Sequence, residues 1–379
     1  MTPDPLRGPA FGSYAPDEVA WLLTDLSGVE LEAPTEEREE AIQSGGAHYA
    51  ESLPVEFQPD AAYLDVYRSA LAATAARLAQ AVGTVTELIL RERGPDVVLA
   101  SLARAGTPVG ILLRRWAAAR HGLELPHYAV SIVRGRGIDT VALDHLAAHH
   151  DPAHVVFVDG WTGKGAINRE LADALGRDGR GFDPDLAVLA DPGRCARTFG
   201  TRDDWLIASA CLNSTVSGLV SRTVLNDRLI GPGQYHGAKF YAELAGSDVS
   251  NAFLDAVTAE FPGVTDTQLA GTTGPADREP DHAGWAAVER IVDAYGIGDV
   301  NLVKPGVGET TRVLLRRVPW KVLTRAGAPE ADLAHVRLLA AQRGVPVEEV
   351  DDLPYSCVGL IHPRYTRGAT GADGLAASR

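Results

Sequence analysis

VVFVDGWTGKGAI, residues 155–167, decides how the chain is read. Four apolar residues run into Asp159, a glycine-spaced turn follows, and a helix-like sequence begins at Ile167. A buried strand that ends in an acid and a glycine loop commonly meets a phosphate. Backbone N–H groups at a helix start form an anion site, and glycine lets the anion approach closely. Thr162, Gly163, Lys164 and Gly165 offer such a cradle. Asp159 can accept hydrogen bonds from sugar hydroxyls or hold Mg²⁺ through water.

Outward from this stretch the rhythm is regular. DVVLAS (96–101), HYAVSIV (127–133), HVVFVD (154–159), DLAVLAD (185–191) and DWLIAS (204–209) read as five short buried strands. Between them TPVGILLRRWAAARHG (107–122), VALDHLAAHH (141–150) and a segment reaching about Leu175 read as helices. Apolar strands alternating with helices predict an α/β fold with a parallel sheet covered on both faces. Ligands in such sheets sit at the carboxyl ends of the strands. Upstream, YAPDEVAWLLTDLSG reads as a helix, and residues 60–92 as a long helical region broken near Gly83.

Composition narrows the classes. The 379 residues suffice for two or three domains, and no apolar run approaches the length of a membrane span. The start lacks a signal-peptide pattern, so cytoplasmic residence is expected. Three scattered cysteines argue against a disulfide framework or a zinc site. A net charge of −15 speaks against indiscriminate binding to nucleic acid or anionic membrane. Locally the sign reverses: residues 299–328 carry Lys304, Arg312, Arg316, Arg317, Lys321 and Arg325 against Asp299 and Glu309. That patch is either a polyanion site or a solvated helix face.

A second strand-end loop, SLARAGTPVG (101–110), offers another cradle through Ala103, Arg104, Ala105 and Gly106. The plain alternative is that both sets of glycines only make turns. Taken together the loops suit a sugar carrying phosphates at both ends. No GxGxxG follows the first strand and no GxxxxGK[ST] occurs, so neither dinucleotide nor P-loop motifs fit.

At these residues the layout resembles type I phosphoribosyltransferases. More closely, GGAHYAESLP, SLARAGTPVG, SIVRGRGID, VFVDGWTGKGAI and LVKPGVGETTR resemble a bacterial family of tellurite-resistance and stress gene clusters. Its members join a phosphoribosyltransferase-like domain to a Pelota-type RNA-binding domain, and relatives carry the label cysteine protease StiP. The resemblance divides the chain into a helical lead (1–92), a transferase-like domain (93–264), a linker (265–284), a Pelota-like domain (285–363) and a disordered tail (364–379). It implies Mg²⁺-assisted transfer from phosphoribosyl pyrophosphate to a small acceptor, with a homodimer as a further expectation. Asp159 would hold ribose or Mg²⁺, the 162–165 turn the 5′-phosphate, and residues 103–106 the pyrophosphate. Arg134 and Arg136 would close over the site, His48 would act as acid or base, and Tyr49, Tyr235, His236 and Lys239 would bind the acceptor. One departure stands out: Val158 and Gly160 flank Asp159 where standard phosphoribosyltransferases carry a second acid.

Two other readings belong to different classes. One is a nucleotide or RNA sensor that keeps the pocket without the chemistry. The other is a cysteine peptidase using Cys211, which precedes LNSTVSG, with His236 or His48 as partner. In the C-terminal part, Lys304, Gly306, Glu309, Thr311 and Arg312 match the RNA-gripping positions of the Pelota and L7Ae-like group. Gly308 replaces the usual Asn, and no aromatic platform stands beside them in the sequence.

Overall fold

The structure, a computed structural model, describes residues 2–33, 50–56, 61–270 and 278–361. Its centre is a six-stranded sheet. In chain order the elements are β1 (Ala20–Trp21), α1 (Ala61–Arg93), β2 (Val98–Leu102), α2 (Thr107–His121) and β3 (His127–Val130). There follow α3 (Thr140–His149), β4 (Val155–Trp161), α4 (Ala166–Asp178), β5 (Leu186–Ala190), β6 (Phe199–Thr201) and α5 (Ser250–Thr258). The strands lie in the order β1-β3-β2-β4-β5-β6, and every pairing is parallel. β2 and β5 are buried at every position, as central strands covered on both faces must be. β4 lies in the middle of the sheet, so its carboxyl end opens onto the crevice where ligands gather.

The second unit holds α6 (Ala283–Ala294), β7 (Val303–Pro305), α7 (Val307–Arg316), β8 (Pro319–Arg325), α8 (Glu330–Gln342), β9 (Val347–Val350) and β10 (Cys357–Ile361). Its mixed sheet runs β7-β10-β8-β9. Its own core contains Val288, Ile291, Val303, Leu323, Tyr355 and Val358. Val307, Leu314 and Val322, however, belong to the same apolar cluster as Leu206, Ile207 and Ala210 of the first unit. The two units are therefore packed together, with α7 at the seam.

Four expectations need correction. YAPDEVAWLLTDLSG does not form a helix: it supplies β1 and a second short strand, Thr24–Asp25, because Val19–Leu23 is buried as edge structure beside β3. α1 is unbroken at Gly83, which sits where a Cβ would lie 2.7 Å from the Trp116 ring, so glycine serves a close helix approach. DWLIAS is not a strand. The fifth long-range pairing is made by β6, and 204–209 instead runs beneath the C-terminal unit into a 3₁₀ turn, Ala208–Cys211. Within 265–284, Asp266–Ala270 is helical and Arg278 is buried, hydrogen-bonded to Glu92 and the Arg197 carbonyl, so this segment is more than a linker. The tail from 364 lies outside the described residues. Among the described residues no helix is long and apolar enough to cross a membrane.

Candidate functional site

The 162–165 turn begins where β4 leaves the sheet. Thr162 N–H donates to the Ala190 carbonyl (3.0 Å), and its hydroxyl donates to Asp191 (2.6 Å). The Thr162 hydroxyl is thus turned into the protein, and outward the turn offers its backbone and the Lys164 side chain. Gly165 has φ +76°, the left-handed conformation that lets the chain swing into α4 without strain. Its pro-Cβ space is filled by Cys195, whose Sγ would lie 2.8 Å from an added Cβ.

Beside the turn lies a cavity of about 320 Å³. From the first unit it is lined by Ala105, Arg134, Asp159, Trp161, Lys164 and Asn168, and from the second by Lys304, Glu309 and Arg312. Four cations therefore face two carboxylates. Burial pushes the Asp159 carboxyl up to about 6, against the Gly160 N–H bond (2.8 Å) and the Arg312 charge that oppose the shift. Burial first, then Lys304 and Arg134, push Lys164 down to about 8. Burial also lowers Lys304, aided by Arg317 and Arg134. Glu309 goes the other way: burial resists its ionisation, but Arg312 and Lys304 outweigh it and hold the carboxyl below its usual range.

The seam is held by named contacts. Lys164 Nζ donates to the Val300 carbonyl (2.6 Å), and Tyr355 Oη to the Gly163 carbonyl (3.0 Å). Arg312 Nε donates to the Ala210 carbonyl (3.0 Å), and its guanidinium lies 5.3 Å from the Trp161 ring centre. Asp204 accepts from Val307 N–H (2.9 Å) and Ser356 N–H (2.8 Å), capping the start of α7. None of Trp161, Asp204 and Tyr355 could be found from spacing, because their partners lie about a hundred residues or more away along the chain. No aromatic platform is legible beside Lys304 along the chain; folding places Trp161 beneath Arg312.

Other expected site residues are not brought together. Of the 103–106 loop only Ala105 lines the cavity. Arg104 is tied to the buried Glu56 (2.6 Å) and the Val220 carbonyl (3.3 Å). A Cβ on Gly106 would fall 2.5 Å from the Val158 carbonyl, so this glycine serves packing against β4. Arg136 pairs with Glu51 (3.3 Å), away from the cavity lining. Tyr235 is fully enclosed and bonds the Pro3 carbonyl and His145. His236 bonds Ser131 (2.8 Å), and Lys239 pairs with Glu32 (2.8 Å). Thr311 is buried on the Val307 carbonyl and His335. Gly306 turns the chain at φ +94° ahead of α7, clear of the cavity lining. His48 and Tyr49 lie outside the described residues.

The thiols are enclosed as well. Cys211 and Cys357 have 0% exposure, and burial pushes Cys357 well up. Cys195 is 6% exposed, donates to the Gly193 carbonyl (3.1 Å), and is pushed up to about 12 by burial and then by Asp191. A thiol in that range is not a thiolate at neutral pH. The donor set does not suit a resident Mg²⁺ either: of the two cavity carboxylates Glu309 is paired with Arg312 (2.8 Å), which leaves Asp159, and no group of three His, Cys, Asp or Glu among the described residues could hold a metal.

Comparison with known proteins bears on the reaction. A family model described as "Tellurite-like stress resistance cysteine protease StiP" matches residues 12–258, and a model of the Pelota RNA-binding domain matches residues 282–363. A protein of Acinetobacter baylyi named cysteine protease StiP is 35% identical over 364 residues, 92% of this chain and 94% of that protein. These findings overturn the expectation of phosphoribosyl transfer, and with it phosphoribosyl pyrophosphate, the small acceptor and a magnesium-assisted transferase. The geometry gives a physical reason: the second phosphate cradle is spent on internal packing and on the Arg104–Glu56 pair. With one model covering residues 12–258 and a relative aligned along nearly the whole length, this chain belongs to the StiP family of tellurite-like stress-resistance proteins, described as cysteine proteases, and carries a Pelota domain at its C-terminal end.

Proposed function

We propose that this chain serves stress resistance by binding a phosphate-bearing, nucleotide-sized ligand in the cleft between the sheet and the C-terminal unit. One observation carries the reading: Arg134, Lys164, Lys304 and Arg312 converge on a cavity of about 320 Å³ that holds two carboxylates. Like charges held together out of water cost free energy, and the lowered Lys164 and Lys304 record that cost. An anion in the cleft relieves it. The backbone of residues 163–165 at the start of α4 adds N–H donors suited to phosphate. The volume is at the small end of ligand pockets, which matches one nucleotide and not a larger cofactor. Calorimetric titration with ADP tests the reading: the expected result is saturable binding that weakens as salt rises, and absence of heat at millimolar ADP would overturn it.

The family description favours a second reading, hydrolysis of a peptide bond by a cysteine thiolate. Cys211, the thiol favoured by its polar sequence neighbours, is wholly enclosed. Cys195 is better placed, because its sulfur packs behind Gly165 on the cleft wall. Its burial means that the 193–195 turn would have to open before the thiol could attack. Digestion of denatured casein by wild type, Cys195→Ser and Cys211→Ser separates the two. Loss in Cys195→Ser alone assigns the nucleophile there, and undiminished digestion in both variants removes the reading.

A further inference from the structure

Lysine is rare in this chain: of the 35 Lys and Arg residues only Lys164, Lys239, Lys304 and Lys321 are lysines. The four fall into two kinds. Lys239 pairs with Glu32 (2.8 Å) and Lys321 with Glu348 (2.5 Å). Lys164 and Lys304 line one cavity from opposite walls, and among the described residues neither pairs with a carboxylate. Glu309, on the same cavity, is taken by Arg312 (2.8 Å). Lys164 is held by neutral acceptors, the Val300 carbonyl (2.6 Å) and Asn301 Oδ1 (3.5 Å), which orient its nitrogen without requiring its charge. Where a site needs only a fixed positive charge, arginine serves, and this chain uses arginine almost everywhere. Lysine differs in that it can lose its proton, and a second cation beside it in a desolvated place drives that loss. Burial, then Lys304 and Arg134, lower the Lys164 amine to about 8, while Asp299 and Glu309 oppose the shift and are outweighed. Other charged groups around it are Asp159 and Arg312 on the cavity wall and Arg169, which donates to the Lys164 carbonyl (3.3 Å). At pH 7 about a tenth of such an amine is uncharged, against well under about a thousandth of an ordinary lysine.

We propose that Lys164 is the nucleophilic amine of the cleft and forms a reversible imine with a small aldehyde or ketone that carries a phosphate. The phosphate half rests on the ligand reading above; the amine half stands on the placement of the two unpaired lysines. The phosphate meets the backbone N–H groups of residues 163–165, in the same turn as the amine. The uncharged Nζ attacks the carbonyl carbon, and one of its protons passes to the carbonyl oxygen. The resulting hydroxyl leaves as water once protonated, the last Nζ proton is released, and a C=N bond remains. No oxidant or reductant takes part. Asp159, on the wall of the same cavity and pushed up to about 6 by burial, is the acid available to protonate the hydroxyl and to recover the last proton.

Pyridoxal 5′-phosphate, an aldehyde that carries a phosphate, is the probe. Incubation with the full chain, borohydride reduction and peptide mass mapping locate the adduct. At pH 7 Lys164 should be labelled about tenfold or more faster than Lys239 and Lys321, in line with its larger uncharged fraction. Lys164→Arg keeps the charge but cannot form an imine, so it should lose this adduct while weakening ADP binding less than Lys164→Ala does. Lys304→Ala should move the pH midpoint of Lys164 labelling upward, a shift that damage to the fold would not produce. Equal labelling of all four lysines overturns the proposal, as does an adduct on Lys304 in place of Lys164, or a midpoint unmoved in Lys304→Ala. ADP binding without any adduct at Lys164 removes the imine and leaves the anion site standing. An adduct at Lys164 without ADP binding removes the nucleotide reading and keeps the reactive amine.

Discussion

Asp159, near the end of β4, and Lys164, in the turn that follows, stand five residues apart and titrate toward each other. The Asp159 carboxyl is pushed up to about 6 by burial, and Lys164 is pushed down to about 8 by burial and by its basic neighbours. The sign for anion binding follows directly. As pH falls through the Asp159 value the cleft loses a negative charge, so anion affinity rises. As pH climbs through the Lys164 value the cleft loses a positive charge, so affinity falls. Sulfate does not titrate across this range and reports the protein alone. Its affinity, followed by calorimetry from about pH 5 to about pH 9, should fall in two steps. Asp159→Asn should abolish the lower step and keep the upper one. A single-step profile in wild type would show that Asp159 does not face the anion.

At the scale of elements, the legible parts of the fold were those whose burial leaves a pattern in a few consecutive residues. β2, β3, β4 and β5 were readable because a parallel strand covered on both faces becomes an apolar run. β1 and β6 were not, since two and three residues at the ends of a sheet carry almost no periodicity. DWLIAS misled for a physical reason: its apolar residues are buried, but against the C-terminal unit and α1, while Asp204 caps a helix from far along the chain. Gly83 reads as a break because glycine weakens isolated helices, whereas in the fold it admits the Trp116 ring. Gly83→Ala pits a helix-propensity gain of about 1 kcal/mol against overpacking of about 1–3 kcal/mol. Trp116 cannot retreat cheaply, being 2% exposed, bonded to Glu87 (2.9 Å) and edge-on to Phe261. The variant should therefore melt at lower temperature; an unchanged or higher Tm would mean that the ring shifts freely.

Over the whole molecule the cleft exists because two units meet. The phosphate turn was legible from residues 155–167, and the basic patch from 299–328, but nothing local said that they face one another. That depends on Asp204, Tyr355 and the apolar cluster shared through Val307 and Leu314. Asp204 is 7% exposed, and its removal leaves the Val307 and Ser356 N–H groups buried without acceptors. Asp204→Ala should cost about 1–3 kcal/mol for each orphaned donor, read by urea denaturation, and Asp204→Asn less. Equal stability in wild type and Asp204→Ala would mean that the two units are not held by this contact.

The central claim, one anion site built jointly by both units, is tested most directly by ADP calorimetry on Lys164→Ala and Lys304→Ala, one cation from each wall. Each change should weaken binding about tenfold or more, equivalent to at least about 1.4 kcal/mol. Wild-type affinity in Lys304→Ala, with Lys164→Ala impaired, would contradict the account by showing that the C-terminal unit takes no part in the site.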